Sequence, residues 1–200
     1  MEKLVYLLPA TTSAAVGEAV RAQARHLAEQ TRGLSLLTPR VDPGTPRSPF
    51  SAAIEVWLAC LDRRGPLEQG LTRLGASFDA YLVTESTLRQ GAGPLSQSAE
   101  ATSVVIHQAP RLGQEEFRVH LTSRVSPHLE RRATSDRIVR DSVVRPLDVN
   151  SPPLRALFTF VHGARAEGAD LAEAFDALCT AEQRAVLVVN RQIVRPRASR

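Results

Sequence analysis

Four side chains could do chemistry if their strands enclose a pocket: Tyr6 in LVYLL, His107 in SVVIHQ, and Glu55 with Trp57 in AIEVWLACL. Alternate residues of a strand share one face. Taking Pro9 and Pro110 as matching strand ends aligns Tyr6 with His107, so a phenol and an imidazole fall on corresponding faces. Together they could orient a phenolic or carbonyl substrate, with His107 as general base because an unperturbed imidazole titrates near neutrality. The alternative places both rings in the core beneath helices. Glu55 and Trp57 are two apart and share a face; a carboxylate beside an indole in a dry site has a raised pKa and can serve as acid or base. The alternative there is a solvated strand edge. Thr159 aligns with Trp57 in the second half, and Arg140 reaches a substrate carboxylate if it points inward.

The remaining polar residues read as structure. His26 and His128 sit at equivalent helix positions, which points to common ancestry rather than a metal site. His120 lies eight residues before His128, not at the i, i+4 spacing of two ligands on adjacent turns. His162 ends a strand, and Asp136, Arg137, Arg140 and Asp141 read as a solvated charged face. No GxGxxG, GxxxxGK, GxSxG or HExxH occurs, so neither nucleotide nor zinc-peptidase chemistry is expected. No metal and no cofactor are expected.

These residues need elements to position them. Leu4 to Leu8 reads as a strand. TTSAAVGEAVRAQARHLAEQTRG reads as a helix with Thr/Ser at its start and Gly33 at its close, and LSLLTPRV as a second strand. Ala53 to Leu61 is a third strand, Gly65 to Leu74 a helix opening on Pro66, and Ala80 to Val83 a fourth strand. GAGPLSQSAEAT is a linker. The order then repeats: strand Ser103 to Gln108, a helix bent near Pro127, strands Arg137 to Arg145 and Ala156 to His162, helix Asp170 to Cys179, and strand Ala185 to Asn190.

Overlaying the halves places His26-Leu27 on His128-Leu129 and Ile54, Val56, Leu58 on Ala156, Phe158, Phe160, both at an offset of 102 residues. Leu67, Leu71 and Leu74 meet Leu171, Phe175 and Leu178 at 104. The expectation is an α+β fold of two ferredoxin-like βαββαβ repeats whose antiparallel sheets pack face to face around a central cavity. Residues 1–92 form the first repeat, 93–102 a linker, 103–194 the second repeat and 195–200 a basic flexible tail.

The LVYLL strand, the run EEFRVHLTSRVSPHL and the strand AIEVWLACLD resemble the EthD-like group of the dimeric α+β barrel superfamily. The run is similar to that family's Glu-Glu-Phe helix with its His-x-Pro-Leu turn, although here Ser126-Pro127 precedes His128. The resemblance implies a pocketed barrel linked to breakdown or cyclisation of aromatic, polyketide-like or other hydrophobic metabolites. Relatives in the superfamily hold haem through one helix histidine, which here would be His120 or His128. The third alternative is a non-catalytic module that docks a partner protein through its outer helices and basic tail.

Composition narrows the partners. The 200 residues, 43% hydrophobic, suffice for one large or two small cores. No apolar run approaches the roughly 20 residues of a membrane span, and no signal peptide is read in the first residues. Cys60 and Cys179 lie in apolar segments and read as buried reduced thiols, which fits a cytoplasmic location. The net charge of +4 equals the charge of the last ten residues, and nine aromatics are not interleaved with basic clusters, so nucleic acid is not an expected partner. A hydrophobic or aromatic small molecule is, and a homodimer is compatible with the chain. Whether chemistry follows binding is left open.

Overall fold

The computed structural model describes residues 1–40, 48–90, 98–106, 113–132, 137–161, 175 and 184–196. Eight strands close into one antiparallel barrel: β1 (Glu2–Pro9), β2 (Gly33–Pro39), β3 (Phe50–Leu58), β4 (Asp79–Arg89), β5 (Ser98–Ile106), β6 (Arg137–Pro146), β7 (Ala156–Val161) and β8 (Arg184–Val194). The order around the barrel is β1-β3-β2-β8-β5-β7-β6-β4. Within it, the first four strands lie as β4-β1-β3-β2 and the last four as β8-β5-β7-β6, which is the same arrangement twice. Two seams join them: β2 pairs with β8 from Leu34↔Val194 to Pro39↔Val189, and β4 pairs with β6 from Tyr81↔Pro146 to Arg89↔Ile138.

Helices cover the outer wall. Beside the first four strands lie α1 (Ala14–Ala22), α2 (Ala24–Glu29) and α3 (Gly65–Arg73), the last preceded by a 3-10 turn at Leu61–Arg64. Ser13 caps α1 by accepting the Val16 N–H at 3.3 Å. Pro66 stands in the first turn of α3, where no N–H is needed, and Gly75, at φ +76°, ends the turn after it. Gly70 lets α3 press against α2, since a Cβ there would lie 2.8 Å from Leu27 Cδ2. The single helix expected over this first crossover is broken at Gln23.

In the second half α4 (Gln114–His120) and α5 (Ser126–Arg132) are joined by a π-helical stretch, Leu121–Val125. The bend expected near Pro127 is taken up there: the Leu121 carbonyl accepts both the Ser126 N–H and, at 2.8 Å, the Ser126 hydroxyl. Phe175 packs edge-on against Phe158 at 4.9 Å; the rest of the helix expected over Asp170 to Cys179 lies outside the described residues, as does His162.

Strand alternation sorts the apolar residues into an outer and an inner core. Leu4, Tyr6, Leu8, Ile54, Val56 and Leu58 face Val20, Leu27, Leu67 and Leu71 of the first helices. Phe158, Phe160, Val104 and Ile138 face Phe117, Leu121, Val125 and Leu129 of the second set. Val5, Leu7, Leu37, Phe50, Ala53, Tyr81, Val105, Leu157, Leu187 and Val189 fill the barrel itself, with Leu154 against its end. Each fully buried large side chain contributes about 1.5–3 kcal/mol.

Several expectations are corrected. β5 starts at Ser98, inside the segment taken for a linker, and β4 runs to Arg89 rather than Val83, because the seam with β6 needs the extra length. Asp141 does not belong to a solvated face; it is fully buried inside the barrel. Arg191 is an inward-facing residue of β8. Cys60 is exposed rather than buried, since it follows the last residues of β3; Cys179 lies outside the described residues. No described helix is long and apolar enough to cross a membrane.

Candidate functional site

Near one end of the barrel, the inward positions carry charge. Lys3, the sole lysine of the chain, projects from β1 into the interior and is 4% exposed. Its Nζ donates to Glu55 Oε1 at 3.0 Å, Asp141 Oδ2 at 2.7 Å and Glu85 Oε2 at 2.7 Å, reaching strands β3, β6 and β4. Arg191 Nη2 stands 3.9 Å from Glu55 Oε2. Trp57 lies beside Lys3 through the Lys3↔Trp57 pairing of β1 and β3, with Nζ 4.6 Å from the ring centroid.

Burial penalises the Lys3 ammonium, but Glu55, Asp141 and Glu85 overcome that cost and its pKa is raised. Burial by itself would lift Glu55; Lys3 and Arg191 outweigh it and hold the carboxyl down to about 2. Asp141 goes the other way. Burial lifts it first, the charge of Glu55 lifts it further, and Lys3 does not compensate, so its pKa lies well above the ordinary carboxyl range. Lys3 and Arg191 thus face three carboxyl groups, Glu55, Asp141 and Glu85, in one ionic group.

A belt of hydrogen-bonding atoms continues around the interior. Ser35 Oγ, Ser103 Oγ, Thr159 Oγ1 and Arg191 Nε are buried without a protein partner. Ser103 pairs with Thr159 across β5 and β7 as Lys3 pairs with Trp57 across β1 and β3.

The charged end opens outward. One pocket of about 390 Å³ is bordered by Met1, Lys3, Trp57, Val83, Glu85 and Val144. Another, of about 470 Å³, shares Met1, Trp57 and Glu85 and adds Arg32, Arg137, Ile193, Arg195 and Pro196. Glu85, at 26% exposed, is the carboxylate of the group that reaches this opening. The opposite end is plugged by Leu7, Phe50, Tyr81 and Leu154, with the Tyr81 hydroxyl donating to the Pro152 carbonyl at 2.8 Å. A larger groove of about 760 Å³ runs along the outer wall past Arg21, Arg25, Glu29, Asn190 and Gln192. It is formed largely by exposed side chains, and Arg21 and Glu29 are already paired with Glu18 and His26.

The residues expected from sequence thus separate. Glu55, Trp57 and Thr159 face the interior. Tyr6 does not: its ring lies in the outer core, edge-on to Phe78 at 5.4 Å, and its hydroxyl donates to Glu68 Oε1 at 3.2 Å. Arg140 also points outward, donating to Ser126 Oγ at 2.7 Å and Ser86 Oγ at 3.1 Å. His107 lies outside the described residues. Lys3, Glu85, Asp141 and Arg191 were not anticipated. The available signal was a lone lysine in an otherwise apolar strand, and acids or bases spaced by two from inward valines and leucines.

The haem alternative rests on His120 or His128, carried by helices α4 and α5 on either side of the π-helical stretch. The face between those helices and the sheet is filled by Phe117, Leu121, Val125 and Leu129 against Phe158, Phe160 and Phe175. His120 and His128 flank that stripe, half-buried. His120 Nδ1 is buried without a hydrogen-bond partner. No group of three or more His, Cys, Asp or Glu suited to a metal ion occurs among the described residues.

No family model matches the chain, and no curated protein is similar to it in sequence. Solved structures do share its fold. An anthrone oxidase-like protein superposes with a TM-score of 0.63 at 9% identity, covering 98% of this chain and 94% of that one. A proposed monooxygenase from Fusobacterium nucleatum gives 0.58 at 10% identity, covering 97% and 94%. A chlorite dismutase variant from Candidatus Nitrospira defluvii gives 0.55 at 10%, covering 96% and 90%. The chain shares their fold, here an eight-stranded antiparallel barrel closed within one polypeptide.

Proposed function

We propose that the protein binds a small, largely apolar aromatic molecule against Trp57 at the open end of the barrel. The observation that carries this reading is the convergence of Trp57, Lys3 and Glu85 on one open space above a buried ionic group. An indole supplies a flat apolar wall, the ammonium polarises a ligand oxygen, and the carboxylate accepts a proton from a phenol or from a carbon next to a carbonyl. The enolate or phenolate so formed is stabilised by Lys3, and the Glu85 acid returns the proton. Such chemistry needs no cofactor. Duplication of a ferredoxin-like unit over residues 1–92 and 103–194 and EthD-like ancestry fit the repeated strand order and the buried Phe117 of the Glu-Glu-Phe helix. His107 has no part in this reading.

Trp57 is the sole tryptophan, so its emission reports occupancy directly. Aromatic ketones and phenols that raise Tm are expected to change Trp57 emission, and Trp57→Leu to lose both effects. In heavy water, a bound ketone is expected to take up deuterium next to its carbonyl with the natural chain and not with Glu85→Gln, which still binds. Ligands that raise Tm while leaving Trp57 emission unchanged would place binding elsewhere and defeat the proposal.

A further inference from the structure

The charges around the open end are unequal. Arg32, Arg137 and Arg195 border the same space as Trp57, and none of the three pairs with an acid among the described residues. Glu85, the one acid on that border, is already held by Lys3 at 2.7 Å. The Arg137 Nε is buried with no hydrogen-bond partner. Arg137 opens β6 on the inward face, two and four residues before Val139 and Asp141, and pairs with Val161 of β7. Its backbone is therefore set in the barrel wall at the rim.

Three guanidiniums around one pocket repel each other, and desolvating them by closing an uncharged ligand over them costs more still. An anionic oxygen group reverses both terms. A guanidinium offers a planar fork of donors that matches the two oxygens of a carboxylate. Resting on the proposed binding site at Trp57, we infer that the natural ligand is an aromatic carboxylate. Its ring lies on the indole and its carboxylate is held by Arg137, with Arg32 and Arg195 completing the positive rim. Arg137 is thus a specificity-determining residue: it selects the acid over the neutral ring. The Lys3 and Glu85 pair, on the adjoining side of Trp57, faces the ligand's other polar substituent.

The test uses a matched pair, 2-naphthoate and 2-naphthamide, titrated calorimetrically into the full chain while the single Trp57 indole N–H resonance is followed. The acid is expected to bind at least about tenfold tighter than the amide, the worth of one charge-assisted hydrogen bond, and both should move the Trp57 signal. Arg137→Gln should remove that preference, weakening the acid by far more than the amide. Raising salt from about 20 mM to about 500 mM should narrow the preference in the natural chain, because a partly exposed ion pair is screened over such a range. This second measurement does not depend on the variant folding. Equal binding of acid and amide, both moving Trp57, would overturn the carboxylate inference and leave the Trp57 site standing. Binding of either without any change at Trp57 would overturn the site itself, and an acid preference retained in Arg137→Gln at all salt concentrations would overturn the role of Arg137.

Discussion

Replacing Lys3 with methionine keeps most of the side-chain volume and deletes the charge that Glu55, Glu85 and Asp141 share. Glu55 and Asp141 are both 1% exposed at the side chain, so neither can turn to water. Arg191 at 3.9 Å is left as the nearest cation to Glu55. Removing one partner of a buried pair costs about 3–5 kcal/mol because a bare charge stays behind, and at about 2–4 °C per kcal/mol for a chain of this length the loss in Tm is on the order of 10 °C. The pH dependence identifies the cause. In the natural chain the Glu55 pKa is depressed to about 2, so its stabilisation is present above its unfolded pKa and lost as pH falls through the folded value. Without Lys3, burial dominates and the sign reverses: the penalty is full at neutral pH and relaxes as Glu55 takes up a proton on acidification. Thermal melts of both proteins from about pH 8 down to about pH 5 should therefore converge. Adding Glu55→Gln to Lys3→Met should recover a large part of the loss, as a neutral amide needs no counter-charge. A gap in Tm of under about 2 °C at neutral pH, or one that does not change with pH, would refute the argument.

Asp141→Asn imitates the protonated acid. Because the folded pKa of Asp141 is raised, its contribution is complete below the unfolded pKa and lost as pH rises through the folded value. The variant should gain stability relative to the natural chain between about pH 5 and pH 8, as read by urea unfolding. Cys60 is exposed in the folded state, and iodoacetamide followed by peptide mapping should label it within minutes under native conditions; labelling as slow as global unfolding would contradict its placement.

How much of this could be seen in the sequence depends on whether one or both faces of a strand are buried. β3 announces Glu55 and Trp57 as a pair because a charge two residues from an indole breaks an apolar run, and both do face the interior. β1 gives no such guidance. LVYLL is apolar on both faces, since one packs on helices and the other fills the barrel, so alternation cannot say which side Tyr6 takes. The segment RIVRDSVVR looks solvated by composition, yet the barrel sorts it by parity: Ile138 and Arg140 outward, Val139 and Asp141 inward. What joins Lys3 to Asp141 is strand pairing across 138 positions of chain. No local pattern encodes that closure, and it is what brings five scattered ionisable groups together.

The charge balance also runs across the seams. Lys3, Glu55 and Glu85 come from the first four strands, Asp141 and Arg191 from the last four. Each half, alone or grafted onto a foreign companion, would bare two unzipped rims and strand an ion in oil. A new acid on one side of the seam therefore calls for a base or a lost charge on the other.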